Sequence, residues 1–293
     1  MFSAVTEREF VGDSYYGWKM PTPKSLTMDD RNFDGTYTEF LAGDASLKVC
    51  ISALDPKSDL ATVYDEMKSL LYGKTLTASE KKQDDNGNIF IRLAAKDSEA
   101  LYGIYAYTND KYEYYIFTSY PIDESDSVKT EIENLSSGFR LEFSGDSVYD
   151  LSNIEGKLRK YKNDEYKFEM KLPADWQELE TNIGNRFAFG PSKENDNGFV
   201  SVTIASKSDS LTARSWCEYD FSSNSEYLNR DMNTVTDISE NELFGHKVFK
   251  YTYVAKHTNN KSGKTTDMFF EDGDYVYNVA VMENNDEGSV YQN

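Results

Sequence analysis

Two stretches of the sequence decide the fold: YGWKMPTPKSL at residues 16–26 and YKFEMKLPADW at residues 166–176. They begin 150 residues apart and share an aromatic residue at every second position, then a methionine, then a proline. Such alternation places every second side chain on one face of a β-strand. Proline ends a strand because it has no amide hydrogen to donate. The matched pairs are Tyr16 with Tyr166, Trp18 with Phe168, Met20 with Met170 and Pro23 with Pro173.

Later strand signals match in the same order, and the spacing between partners grows only between strands. Insertions confined to loops produce that pattern. The sequence therefore predicts a tandem duplication, with a first domain at residues 1–145, a linker at residues 146–157 and a second domain at residues 158–293. The linker holds Val148, Leu151 and Ile154 at helical spacing, which favours a short helix. Further matched residues are Leu47, Val49 and Ile51 with Val200, Val202 and Ile204, and Tyr112, Tyr114 and Ile116 with Tyr275, Tyr277 and Val279.

Helical periodicity appears between the strand signals. An apolar face recurs over residues 59–72, a counterpart begins near Ser210, and a last amphipathic segment covers residues 127–137. Antiparallel sheets whose helices cover a face form an α+β sandwich. We expect an α+β fold of two tandem repeats, each an antiparallel β-sheet with flanking helices. The second repeat stops at Asn293, one turn into the counterpart of residues 127–137, so we expect its C-terminal helix to be incomplete.

The strand and helix order resembles the PsbP/Mog-type (PsbP-like) fold family, in a bacterial uncharacterised branch. The resemblance implies a PsbP-like sandwich and non-enzymatic protein binding, since plant members bind a photosystem and the yeast member binds a small GTPase. No functional residue of the family maps onto this chain. The first repeat departs from the pattern at Leu26, where the second has Trp176. The resemblance rests on Tyr166, Phe168, Leu172, Pro173 and Trp176, and on FEDGDYVYNVAV at residues 270–281.

The composition excludes several classes of partner. The formal net charge is −20, with both halves acidic, so the phosphates of a nucleic acid would be repelled. No run of about 20 apolar residues is present, which excludes a transmembrane segment. Cys50 and Cys217 occupy non-equivalent places in the repeats, so a duplicated disulfide is excluded. Two buried free thiols are the expectation.

No pattern in the sequence predicts catalysis, a cofactor or a metal centre. Ser79 and Lys82 form a Ser-x-x-Lys without the motifs that give it meaning, and both Gly-Lys-Thr strings lack the glycine that begins a phosphate-binding loop. His246 and His257 lack convergent ligands. We therefore expect a protein that is not an enzyme. The two Gly-Lys-Thr strings lie at residues 73–75 and 263–265.

Two function hypotheses remain. The first is a non-catalytic binding or scaffolding protein, secreted or at the bacterial cell envelope, that holds a protein partner in an interdomain groove. The second is a small-molecule or glycan binder that uses a concave sheet lined by the tyrosines of residues 102–115. Exposed tyrosines in one pocket favour the second, whereas a flat apolar patch across both domains favours the first. A cytoplasmic location stays open because the first thirty residues lack a signal h-region. The oligomeric state is not predicted.

Acidic turns at residues 84–88 and 195–198 suggest calcium, but the spacing fails. An EF-hand loop needs an acidic residue at its first position and glutamate at its twelfth. Counting from the glycine of each turn puts lysine first, at Lys82 and Lys193, and an aliphatic residue twelfth. We expect calcium to leave the melting temperature unchanged, because a metal that bound only the folded state would raise it. Thermal unfolding with and without calcium chloride checks this, and magnesium chloride serves as the ionic-strength control.

Overall fold

A computed structural model describes residues 8–55, 60–84, 86–145, 147–191, 198–223, 230–243, 245–256 and 262–284. The chain divides into two compact units, Met1–Gly156 and Lys157–Asn293. Strands contain 55% of the described residues and helices contain 13%. The chain is therefore mostly β.

The first unit opens with a hairpin of β1 (Phe10–Asp13) and β2 (Trp18–Pro21). Helix α1 (Leu60–Leu70) lies between the third and fourth strands of the main sheet, and α2 (Asp126–Ser137) follows its last strand. The unit ends with β10 (Val148–Asp150) and β11 (Ile154–Glu155). The main sheet contains β3 (Thr27–Arg31), β4 (Tyr37–Ala42), β5 (Ala45–Ala53), β6 (Thr75–Gln83), β7 (Ile89–Lys96), β8 (Ala100–Thr108) and β9 (Tyr112–Pro121), in the order β3-β4-β5-β9-β8-β7-β6.

The second unit repeats this plan. It opens with a hairpin of β12 (Leu158–Asn163) and β13 (Phe168–Pro173), and α3 (Ala213–Phe221) follows the third strand of its main sheet. The other strands are β14 (Trp176–Leu179), β15 (Arg186–Pro191), β16 (Phe199–Ser206), β17 (Arg230–Asp231), β18 (Ser239–Leu243), β19 (His246–Lys256), β20 (Ser262–Asp272) and β21 (Tyr275–Asn284). The order is β14-β15-β16-β21-β20-β19-β17, and β18 also pairs with β19. Strands β14–β16 occupy the positions that β3–β5 occupy in the first main sheet, and β18–β21 occupy those of β6–β9. The two main sheets therefore have one strand order.

Both faces of the first sheet carry apolar side chains, as its strand periodicity requires. Along β5, Leu47 and Val49 alternate with half-buried polar residues, and these two side chains join α2 and the opening hairpin in one core. On the opposite face Val63 and Met67 of α1, four residues apart, pack against Leu93 of β7 and its neighbours. The sheet is thus the middle layer of the unit.

The two opening hairpins are held to their sheets in the same way. The hydroxyl of Tyr114 donates to the backbone carbonyl of Tyr16 over 2.6 Å, and the hydroxyl of Tyr277 donates to that of Tyr166 over 2.8 Å. The residue after each acceptor, Gly17 or Lys167, has a positive φ. The strand pairing within each hairpin also agrees: Val11 opposes Met20, and Tyr161 opposes Met170.

The predicted α+β class is wrong. The helical signals at residues 59–72 and 127–137 mark real helices, but strands outnumber helices in both units. Strand β6 is polar and mostly exposed, so it carries no apolar alternation, and backbone pairing with β7 is what makes it a strand. In the described part of the second unit the one α-helix is α3, and its N-cap is Thr212 rather than Ser210. The described units are therefore mainly β-sheet, and a pair of flanking helices is not a feature that both share.

The predicted linker helix is also wrong. Val148 and Tyr149 lie in β10, which pairs in parallel with β1, with Val148 opposite Phe10. The edge of β1 offers hydrogen-bond partners to the backbone of residues 148–150. This pairing stabilises a strand there more than three apolar residues at helical spacing stabilise a helix. The predicted incomplete C-terminal helix falls on residues 285–293, which lie outside the described residues.

We expect Tyr114→Phe and Tyr277→Phe each to lower the free energy of unfolding by about 1–2 kcal/mol, because each leaves a backbone carbonyl without its donor. Urea unfolding of the purified protein measures the effect. Tyr120→Phe is the control, since the hydroxyl of Tyr120 donates to Glu133 in an exposed contact of 3.3 Å. Losses of equal size in all three variants would contradict a special role for the two hairpin bonds.

Candidate functional site

A surface groove opens in the first unit between the β1–β2 turn and the β8–β9 turn. We call it the tyrosine groove. Its volume is about 430 Å³, which lies within the range of roughly 300–1,000 Å³ typical of small-ligand pockets. Its lining residues are Tyr15, Tyr16, Gly17, Asn109, Asp110, Lys111 and Tyr112.

Three tyrosine rings form the aromatic part of the groove. The ring of Tyr16 stands edge-on to that of Tyr15 at 5.0 Å and to that of Tyr112 at 5.1 Å between centroids. Tyr16 is 7% exposed, whereas Tyr15 is 36% exposed and Tyr112 is half-buried. Tyr16 therefore supports the groove from below, and Tyr15 and Tyr112 offer ring surface to a ligand.

The buried carboxylate of Asp13 holds the β1–β2 turn. One oxygen accepts the backbone N–H groups of Tyr15 and Tyr16 at 2.9 and 3.0 Å. The other oxygen pairs with the guanidinium of Arg31 at 2.6 Å. Gly17 closes the turn with φ of +72°, a conformation that costs glycine little. The turn is thus fixed by side-chain bonds as well as by its strands.

Asn109 holds the opposite wall. Its side-chain oxygen accepts the backbone N–H groups of Lys111 and Tyr112, both at 2.8 Å, and its amide donates to the hydroxyl of Tyr114 at 2.8 Å. That hydroxyl in turn donates to the carbonyl of Tyr16. Burial raises the pKa of Tyr114 to about 12, so its hydroxyl keeps its proton at neutral pH. One side chain therefore connects the two walls.

The groove combines polar side chains with aromatic rings. Its rim carries Asn109, Asp110 and Lys111, which supply donors and acceptors, and its lining contains no serine, cysteine or histidine. Its chemistry is ring packing together with hydrogen bonds. Sequence reasoning pointed to residues 102–115 as a tyrosine-rich strand region, but it missed Tyr15 and Tyr16 as part of the same surface.

The motif residues that the sequence analysis set aside do not form a catalytic arrangement among the described residues. Ser79 and Lys82 lie on β6, three residues apart and so on opposite faces of the strand. The Nδ1 of His246 lies 3.2 Å from the carbonyl of Glu271, a structural contact. His257 lies outside the described residues. The string at residues 73–75 lies at the start of β6, and the one at residues 263–265 lies within β20.

The calcium candidate at residues 84–88 is a side-chain-capped turn. An oxygen of Asp84 accepts the N–H groups of Asn86 and Asn88 at 3.0 and 2.8 Å. Residues 85 and 192–197, which include most of the second candidate loop, lie outside the described residues. Across the part of the chain that the structure describes, no group of three or more histidine, cysteine, aspartate or glutamate side chains could hold a metal ion.

Both cysteines are free thiols. Cys217 is buried on α3, and Cys50 is only half-buried on β5, so the expectation of two buried thiols was too simple. Burial raises the pKa of Cys50 to about 11 and that of Cys217 to about 12. Thiolates are the reactive form, so neither side chain is poised as a nucleophile at neutral pH.

Sequence reasoning also missed a buried polar network in the second unit. The guanidinium of Arg230 donates to the Asp220 carboxylate at 2.7 Å and contacts the hydroxyl of Tyr251, which bonds the same carboxylate. Asp267, 5% exposed, accepts from the amide of Asn278 at 3.1 Å. Burial is the main cause that raises the pKa of Asp267, and the charge of Asp220 adds to it.

Comparisons with known proteins give no family. No protein-family model matches the chain, and no curated protein matches it. Among solved structures, the chain is similar to cyanobacterial PsbP from Synechocystis sp. PCC 6803, with a TM-score of 0.38 and 19% identity over 48% of this chain and 95% of that one. A protein from Bacteroides thetaiotaomicron has a TM-score of 0.34 and 12% identity over 45% and 44%. The immunity protein TplEi from Pseudomonas aeruginosa, solved with a peptide, has a TM-score of 0.24 and 12% identity over 91% and 90%.

The structural comparison thus supports a PsbP-like fold at most, over about half of the chain. It does not extend to a tandem arrangement or to a bacterial branch. All three TM-scores lie below 0.5. Among the described helices, none is long and apolar enough to cross a membrane.

We expect Asp267→Asn to stabilise the protein more at pH 7 than at pH 4. The pKa of Asp267 is raised in the folded state, so its contribution is fully present below the unfolded pKa of about 3.9 and is lost as pH rises through the folded value. The neighbouring groups are Asp220, Arg230, Tyr253 and Asn278. Urea unfolding at both pH values measures the difference. Asp272→Asn, on an exposed residue of the same strand, is the control, and a pH-independent effect of Asp267→Asn would contradict the argument.

Proposed function

We propose that this chain is a non-catalytic binding protein whose tyrosine groove takes a small polar ligand of carbohydrate type. The observation that carries the proposal is the clustering of Tyr15, Tyr16 and Tyr112 in one groove. Of the two function hypotheses, such a cluster favours the small-molecule or glycan binder. An extracellular or cell-envelope location, implied by the resemblance of the sequence, belongs to the same proposal.

The groove matches the chemistry of a sugar. A sugar ring has apolar C–H faces that pack on aromatic rings, and hydroxyl groups around its edge that need hydrogen-bond partners. Tyr15 and Tyr112 supply the rings, and Asp110 and Lys111 stand at the rim as acceptor and donor. The volume of about 430 Å³ accommodates one or two sugar rings.

The rigidity of the groove supports binding as its purpose. Asp13 fixes one wall, Asn109 fixes the other, and Tyr114 joins the two. A ligand therefore meets groups that are already ordered, which reduces the conformational entropy lost on association.

A protein partner is the second candidate, and a different surface favours it. Leu70 is 58% exposed, Tyr72 is 93% exposed and Leu76 is 39% exposed, all around the end of α1. Large apolar side chains exposed close together mark sites of protein contact more often than chance. The net charge of −20 favours a partner with basic residues.

We expect Tyr15→Ala to weaken the binding of a sugar at least tenfold, because it removes the most exposed ring of the groove. A tenfold loss corresponds to about 1.4 kcal/mol, an ordinary cost for losing a stacked ring. Isothermal titration calorimetry with maltohexaose, chitohexaose and xylohexaose measures it. Tyr72→Ala is the matched control, since Tyr72 is an exposed tyrosine outside the groove.

Absence of binding to all three sugars, or equal weakening by both variants, would contradict the carbohydrate proposal. The same two variants distinguish the second candidate function, binding of a protein partner, from sugar binding. A partner protein recovered by a photo-crosslinker at position 72, then purified, should lose affinity for Tyr72→Ala and keep its affinity for Tyr15→Ala.

A further inference from the structure

Two carboxylates in the first unit converge on one phenol. The hydroxyl of Tyr115 on β9 lies 3.0 Å from an oxygen of Glu66 on α1 and 3.2 Å from an oxygen of Glu113. A phenol carries one proton, so it donates to one carboxylate at a time. The other carboxylate then faces the lone pairs of the phenol oxygen without a donor between them.

Glu113 also lacks a hydrogen-bond partner for one of its oxygens. The residue is 7% exposed, and its other side-chain oxygen, Oε1, is buried without a hydrogen-bond partner. Its neighbours across the sheet, Ser52 on β5 and Thr108 on β8, are in register with it but supply no bond to that oxygen. A buried ionised carboxylate with an unmet oxygen is costly unless a positive group compensates it.

We propose that Glu66, Glu113 and Tyr115 form a site for an arginine side chain of a partner protein. The inference rests on the second candidate function, the binding of a protein partner, and names the chemistry that the partner presents. A guanidinium has five N–H donors in one plane, so it can bond both carboxylates at once. It supplies the donors that the phenol lacks.

A metal ion fits the cluster less well than a guanidinium does. Calcium takes six to eight oxygen ligands, and magnesium needs near-ideal octahedral geometry. The cluster offers two carboxylates, and no larger acidic group that could hold a metal occurs among the described residues. Organic cations need only hydrogen-bond acceptors and a compensating charge.

The surroundings of the cluster suit an approach from solvent. Glu66 is exposed on α1, and Leu70, 58% exposed, lies one helical turn further along the same face. The ring of Tyr115 stacks on that of Phe117, with centroids 6.1 Å apart and planes 17° apart. Guanidinium groups are attracted to aromatic faces. A partner's arginine thus meets carboxylates beside rings, with apolar surface next to them.

The test is a titration of the isotope-labelled full chain with two peptides, followed by nuclear magnetic resonance. The first is acetyl-Gly-Arg-Gly-amide, and the second carries citrulline, which has the same shape without the charge. We expect the arginine peptide to shift the signals of Glu66, Glu113 and Tyr115, and the citrulline peptide to bind at least tenfold more weakly. Glu113→Gln should weaken binding of the arginine peptide at least tenfold.

Two further variants keep the test decisive. Glu66→Gln changes a solvent-exposed residue, and it should weaken binding about fivefold to tenfold, a difference of about 1–1.4 kcal/mol. Glu80→Gln removes the same charge from β6, where Glu80 pairs with Arg92, and it should change the affinity less than twofold. That control distinguishes binding at the Glu66–Glu113 cluster from general attraction of a cationic peptide to an acidic protein.

Equal binding of both peptides would overturn the proposal, as would equal weakening by Glu80→Gln and Glu113→Gln. Calcium chloride is a separate arm: shifts at Glu66 and Glu113 with calcium, and none with the arginine peptide, would assign the cluster to a metal instead. A partner protein whose binding depends on Tyr72 but not on Glu66 or Glu113 would overturn the arginine site alone and leave the second candidate function standing.

Discussion

The bond from a tyrosine hydroxyl to a hairpin carbonyl is the contact on which each unit depends. Tyr114 makes it to Tyr16 in the first unit, and Tyr277 makes it to Tyr166 in the second. Each donor lies on a central strand of its main sheet, and each acceptor lies in a hairpin outside that sheet. The bond is buried in the first unit and partly buried in the second, so an unmet carbonyl there would be costly. It fixes the hairpin turn against the sheet, and in the first unit it thereby fixes the tyrosine groove.

The two units share this arrangement of hairpin and sheet, but different side chains pack beneath their helices. Under α1 the first sheet presents aliphatic side chains, such as Leu93 and Ile104. Under α3 the second sheet presents Tyr251 and Asp267, with Arg230 beside them. Aliphatic packing stabilises without regard to pH, whereas a buried ion pair costs desolvation and stabilises only when every member is paired. Asp267 therefore makes the stability of the second unit depend on pH.

Much of the frame could be predicted from the sequence, because alternation and proline are local signals. Both opening hairpins and two helices were located in this way. The α+β class was wrong because β6 is a polar strand whose existence depends on pairing with β7 and not on its own pattern. The groove and the Glu66–Glu113 cluster depend on contacts between distant parts of the chain: Tyr114 and Tyr16 are 98 residues apart. No window of sequence contains both partners.

The parallel pairing of β1 with β10 has a consequence for the order in which the first unit folds. Beside it, Ser14 and Ser152 are bonded across 138 residues of chain. Closing a loop of that length costs entropy before any contact offsets it, whereas the hairpins and meanders of the main sheet close over a few residues. We therefore expect the hairpins of the main sheet to form before the opening hairpin meets β10. On the ribosome, this places completion of the first unit after synthesis of residue 152.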